Sequence, residues 1–236
     1  MKLTEAKLKQ LIKEVIEEGD GAKAVTDLPK EVYVCIAPGR DETIDIFFSN
    51  MEGERITSAT STTLPKGVVT IQHSFWGEDA PCNNGMLVAW SLVDKGWGPL
   101  LYDVAIEVAT SLTDGGLAAD RTTVSSKAYK VWNYYLKNRS LPDCSDPATA
   151  EYHKRRGIKC PGGSAEITYV QLDDSPGDFT KDRAQDDCLQ GSSLHHARKQ
   201  NIEWSDTAVS KMYKKSPTTL KSLKDKLIVK IKGLSF

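Results

Sequence analysis

The chain of 236 residues has no apolar run approaching the roughly 20 residues of a membrane span, so no transmembrane segment is expected. It has almost no net charge, −1 at pH 7, and bulk charge therefore points to neither a nucleic-acid nor a membrane partner. It has no Walker loop, no HExxH helix and no Ser–His–Asp order, which removes the motif-based cases for a nucleotidase, a zinc peptidase and a serine hydrolase. It has no CxxC. The cysteines are odd in number (Cys35, Cys82, Cys144, Cys160, Cys188), which argues against a disulfide scaffold and for a reducing cytoplasm. The opening residues lack the apolar core of a signal peptide, because lysines and glutamates interrupt them throughout.

What is present is an ordinary globular composition, 39% hydrophobic and 27% charged, enough for a sizeable core. Charge is unevenly spread. From Lys211 onward eight lysines (Lys211, Lys214, Lys215, Lys221, Lys224, Lys226, Lys230, Lys232) face one acid, Asp225. Such a basic tail reads first as a solvated face and second as a handle for an acidic partner.

Residues 3–18 have Leu3, Leu8, Leu11, Ile12, Val15 and Ile16 at helical spacing, with Thr4 as cap and Gly19 and Gly21 as stops. The small polar stretch 19–30 reads as a linker. Strands are expected at 31–37, 43–49, 55–62, 67–75 and 85–93, the last nearly all apolar as in a buried central strand. Helices are expected at 100–112 and 125–138, the second capped by Ser125 or Ser126, with a short strand end at 117–120 between them. Residues 141–163 read as irregular, 165–172 as a strand and 173–187 as an acidic loop. Beyond that, helices are expected at 188–200 and 207–214, and a helix or strand pair at 218–231. The fold class is α/β, a mixed central sheet flanked by helices. It divides into an N-terminal helix and linker (1–30), a main domain (31–172) and a C-terminal extension with the basic tail (173–236).

The sharpest local signal is a strand that runs into Gly96-Trp97-Gly98-Pro99 and at once into a helix. Glycines there permit a tight turn and expose N–H groups at a helix start, an arrangement that suits a phosphate or pyrophosphate. Over about Gly85–Arg139 the sequence resembles the GNAT acyltransferases: an apolar strand, a Gly-x-Gly pyrophosphate loop, a helix, a further strand, then a helix with Asn-x-x-Ala-x-x-x-Tyr. Ser125 stands at the Asn position, Ala128 at the Ala position and Trp132 where the family often has its tyrosine acid. The Arg or Gln usual three residues before the first loop glycine is Val93.

The resemblance implies a GNAT-like fold and acetyl-CoA as cofactor. Gly96, Trp97, Gly98, Pro99 and Ser125 would lie along it, and Leu92 and Val93 would offer backbone to the pantetheine arm. It implies acetyl transfer to an amine on a small molecule or protein, with the displaced Tyr134 or Tyr135 protonating the leaving thiolate. A second resemblance, carried by MKLTEAKLKQLIKEVIEE, DRTTVSSKAYKVWNYYLKNR, YVQLDD and SKMYKKSPTTL, is to uncharacterised tailed-phage proteins. It implies a host-cell cytoplasmic or virion-packaged protein, with a phage virion or host protein as partner and no enzymatic role.

Other constellations are weaker. Cys144, His153, Cys160 and Cys188, with His195 and His196, match no compact zinc pattern, so no metal is expected. His73 reads as structural, Asp173–Asp174 as solvated loop, and Asp120, Arg121 and Arg139 as a local ion pair.

Overall fold

The computed structural model describes residues 21–73, 85–120, 123–160, 165–172, 197 and 201–234. The helix expected at 3–18, the acidic loop 173–187 and most of the helix at 188–200 lie outside the described residues.

Strands β1 (Tyr33–Pro38), β2 (Ile44–Ser49), β3 (Gly67–His73) and β4 (Gly85–Val93) form an antiparallel run. Helix α1 (Gly98–Leu112) follows β4 and returns the chain to β5 (Gly116–Ala118), which lies parallel to β4. Helix α2 (Ser126–Tyr134) continues into a π turn at Tyr135–Arg139 and the short β6 (Ser140–Pro142). Helix α3 (Pro147–Arg155), β7 (Ile167–Gln171), β8 (Lys211–Lys215), helix α4 (Thr218–Asp225) and β9 (Val229–Ile231) complete the order. All the strands join in one nine-stranded mixed sheet, β6-β7-β8-β5-β4-β3-β2-β1-β9. The α/β class is therefore observed, and no described helix is long and apolar enough to cross a membrane. The region after 172 supplies β8, inserted antiparallel between β5 and β7, and β9, parallel to β1 at the sheet's edge.

Burial follows the period-2 alternation of the strands. Ile44, Ile46 and Phe48 of β2 are buried in the main core with Val69 and Ile71 of β3 and Met86 and Val88 of β4. Leu87, Ala118 and Met212 alternate with these and pack on the opposite face with Leu172 and Trp204. Helix α1 is buried on every side from Leu100 to Ala109. It lies against the sheet, with α2 and α4 packed on it. Tyr102 meets Trp132 of α2 edge-on with ring centroids 5.4 Å apart, and Glu107 accepts the backbone N–H groups of Thr219 and Leu220 of α4, each at 2.7 Å.

Several sequence expectations need correction. Residues 55–62 form turns, not a strand. Apart from a single bridge between Ser49 and Arg55, hydroxyls bond the local backbone there, as Thr60 Oγ1 does to Thr57 N and Ser61 Oγ to Leu64 N. The helix expected at 207–214 is instead a 3₁₀ turn at Ala208–Ser210 followed by β8. Inside a sheet with partners on both sides, Lys211, Tyr213 and Lys215 share one inward face, so the first lysines of the basic tail are core residues rather than a solvated surface. The irregular reading of 141–163 missed α3, although Asp146 caps it through Thr149 N at 2.8 Å and Pro147 opens it. The polar linker is docked: Lys23 N donates to Gly96 O at 2.9 Å, and Val25 and Leu28 pack on the core. Finally, Cys144 and Cys160 form a disulfide that brackets α3, which runs against the thiols expected from the odd cysteine number, and neither sulfur is free for zinc.

Lys215 pairs with Glu107, both side chains fully buried, and its ammonium also reaches the half-exposed Glu166 at 2.5 Å. Breaking one side of such a pair strands a charge, at a cost of about 3–5 kcal/mol, whereas replacing both sides with apolar groups is far milder. Glu107→Leu leaves Lys215 with Glu166 as its remaining countercharge but takes the acceptor from Thr219 N and Leu220 N, and is expected to lower the urea unfolding free energy by about 3 kcal/mol; adding Lys215→Met is expected to recover only part of it, because the two α4 N–H groups stay unbonded. A single variant as stable as wild type would show that the pair does not anchor the fold.

Candidate functional site

The parallel pairing of β4 with β5 lasts three residues, Gly85–Leu87 against Gly116–Ala118. Strand β4 then runs on from Val88 to Val93 with no strand on that side among the described residues. Beside this open edge lies a cleft of about 200 Å³. Val88–Ser91 of β4, Tyr102 of α1, and Asp120, Thr123, Val124, Ser125, Ala128 and Trp132 at the entry to and along α2 line it. The register of β3 on β4 slips here: Thr70 faces Trp90 and Ile71 faces Val88, leaving Ala89 as an extra residue. Such a bulge bends the strand and leaves one residue outside the ladder. Beyond Leu87, strand β4 thus carries backbone polar groups that no described strand pairs with on this side, beside a concave wall with apolar and hydroxyl side chains.

Among the hydroxyls, Ser91 Oγ lies 3.0 Å from the Tyr102 phenol oxygen. Burial raises the Tyr102 pKa, although Ser91 opposes part of that rise. Ser125 fulfils the capping role expected of it, its Oγ accepting Ala128 N–H at 3.2 Å at the start of α2.

The structure brings only some of the sequence candidates to this cleft. Ser125 lines it, as do Ala128 and Trp132. Leu92 is exposed one residue past the lining, and Val93 packs on Gly67 and Leu101 below. Trp97 is a core side chain, edge-on to Phe48 at 5.4 Å, with the Lys23 ammonium 4.8 Å from its ring centroid. Pro99 gives its carbonyl to the Tyr135 hydroxyl at 2.9 Å. Tyr135 is wholly buried; it also donates to Asp103 Oδ1 at 2.6 Å, and burial and Asp103 push its pKa well up. Tyr134 is half-buried beside Arg139, and neither tyrosine lines the cleft. Arg139 bonds Asp103 at 3.0 Å.

The two loop glycines differ in kind. Gly96 has φ +85°, and a Cβ there would sit 2.2 Å from Gly21 O, so the crossing of residues 21–23 alone demands glycine. Gly98 is the first residue of α1, and among the described residues a Cβ there would meet Val131 Cγ2 alone, at 3.7 Å. The packing of the described residues does not require glycine at 98.

Sequence reasoning missed Ser91, Tyr102, Asp103 and Glu107. The last two were visible as acids four residues apart in an otherwise apolar helix, a pattern that in a buried helix calls for partners. It also missed a polar cluster below α3. Lys211 Nζ is buried and donates to Gln171 Oε1, Ser205 O and Ser210 Oγ, over the ring of Tyr152 at 4.4 Å. His153 lies nearby with Nε2 3.4 Å from the Tyr169 hydroxyl and Nδ1 unbonded. Among the described residues no group of acidic, histidine or cysteine side chains has the arrangement of a metal site. Comparison with protein-family models, curated proteins and solved structures finds no match to this chain.

Burial pushes Lys211 down to about 7, with Asp206 offsetting part of the effect. An unfolded lysine titrates near 10.4, so between these values the unfolded chain holds the extra proton and stability rises with pH. Relative to Lys211→Met, wild type is expected to gain about 1 kcal/mol per pH unit between about pH 7.5 and 9.5, measured by urea unfolding across that window. Equal slopes for the two proteins would show that Lys211 stays charged throughout.

Proposed function

We propose that this chain is a GNAT-like acyltransferase that binds acetyl-CoA along the open edge of β4 and moves the acetyl group to an amine on a small molecule or protein. The observation that carries the reading is the separation of β4 from β5 after Leu87 beside the cleft. An extended, amide-bearing chain such as pantetheine can supply the hydrogen bonds that a neighbouring strand would otherwise make. The order of elements agrees: β4, glycine loop, α1, β5, then α2 with Ser125 and Ala128 facing the cleft. Gly98 fits a close approach of pyrophosphate to the start of α1, because none of the described residues fills the space of a side chain there. In the reaction the amine attacks the thioester carbon, N–H donors hold the developing oxyanion, and the thiolate leaves with the proton lost by the amine.

One observation favours the second reading, a non-enzymatic phage virion-associated or host-interaction protein of the same shape. Trp132 fills the position of the expected tyrosine, and Tyr135 is locked between Pro99 and Asp103.

Calorimetric titration with acetyl-CoA and CoA separates the two. Micromolar binding to wild type is expected, reduced at least tenfold in Gly98→Glu. That variant places a carboxylate where an anion would bind while remaining favourable for a helix start, so its thermal midpoint is expected to hold. Absence of binding by wild type, or undiminished binding by a folded Gly98→Glu, would refute the acyl-CoA reading and leave the non-enzymatic one. Gly96 is unsuitable for this test because any side chain there collides with Gly21.

A further inference from the structure

The cleft contains a hydroxyl pair whose polarity follows from its surroundings. Tyr102 is buried at 1% exposure, and its phenol oxygen has Ser91 Oγ at 3.0 Å. Its O–H proton needs an acceptor, since a buried donor left unsatisfied keeps the full cost of leaving water. Ser91 supplies one, and a serine oxygen that accepts a hydrogen bond keeps its own proton free to donate elsewhere. Ser91 lines the cleft two residues beyond the bulge at Ala89.

We propose that Ser91, oriented by Tyr102, is a hydrogen-bond donor that reads the acyl carbonyl oxygen of a thioester in this cleft. The inference rests on the acyl-CoA reading and deepens it by naming what recognises the acyl group rather than the CoA body. Ser91 is the group that touches the ligand; Tyr102 is a positioning residue behind it. As the amine nitrogen bonds to the carbonyl carbon, the carbonyl oxygen gains charge and the Ser91 bond strengthens. When the C–S bond breaks, the carbonyl reforms, the thiolate takes the proton released by the nitrogen, and Ser91 keeps its own. Neither Tyr134 nor Tyr135 is needed for this contact.

The test compares two ligands, acetyl-CoA and S-ethyl-CoA, a thioether that differs by having CH₂ in place of the carbonyl. Wild type is expected to favour acetyl-CoA by about five- to tenfold, the worth of one good hydrogen bond. Ser91→Ala and Tyr102→Phe are each expected to bring the ratio close to one, the double variant to lower it no further, and Ser91→Thr, which keeps the hydroxyl, to preserve it. A purely packing role for Tyr102 would weaken both ligands together and leave the ratio intact. A wild-type ratio near one, or an unchanged ratio in Ser91→Ala with both ligands still bound, would overturn the role of Ser91 and spare the acyl-CoA reading. Failure of wild type to bind either ligand would overturn both.

Discussion

The Glu107 carboxylate sits at a point where three separate stretches of chain meet. It accepts the Lys215 ammonium at the end of β8 and the first free N–H groups of α4, while its own helix lies across the middle of the sheet. The positive end of α4 and the lysine together offset a carboxylate that would be prohibitively costly if buried alone. This explains why a lysine-rich segment enters the sheet at all. Lys215 is held there by its countercharge, and Tyr213 on the same face of β8 stacks on Trp132 with centroids 5.3 Å apart. One turn earlier on α1, Asp103 does the same for the end of α2, taking Tyr135 and Arg139. Two acids four residues apart thus fix both helices that cover α1.

That fixing also shapes the neighbouring cleft. Helix α1 joins β4 to β5 as a crossover between parallel strands, so its position controls how the two strands leave one another. With α1 pinned by its carboxylates, Tyr102 is presented beneath the open part of β4, and Trp132 is held edge-on to it as the far wall of the cleft. Strand β5 stops after Ala118, and the next described element is α2, capped by Ser125 at the cleft. The gap in the sheet is therefore a product of a short strand and a rigid crossover helix.

How much of this was legible depends on whether the signal was local. Strand β4, helix α1 and the Ser125 cap could be read almost to the residue, because apolar runs, helical spacing and a capping hydroxyl act within a few residues of one another. The residues 207–215 could not. Their lysines look solvated until Glu107, more than a hundred positions away, and the Gln171 side chain are brought against them. Residues 55–62 failed for the opposite reason: Ile56 and the threonines favour strands by propensity, but the threonine and serine hydroxyls find local backbone partners first. The disulfide was hidden by counting cysteines as a set, when what matters is that the pair bracketing α3 is brought into reach. At the candidate site, the glycine loop and Ser125 were visible as motifs, whereas Ser91 and Tyr102 were not, since a serine on a strand and a tyrosine on a helix signal nothing until they face each other.

The glycine loop shows how a motif and its cause can part. Read as a pattern, Gly96 and Gly98 are equivalent. In the fold Gly96 answers to a positive φ and to the backbone of residue 21, demands internal to the chain. Gly98 answers to neither: its φ is ordinary for a helix start, and a methyl group there would find normal van der Waals contact. A glycine at the first position of a helix gives up about 1 kcal/mol relative to alanine in helix propensity, somewhat less near the end. Among the described residues nothing offsets that loss. What the missing side chain gives is room for a group to approach the N–H groups that open α1. The weight of the pyrophosphate reading therefore falls on one of the two glycines, and the other belongs to the account of how the N-terminal segment docks.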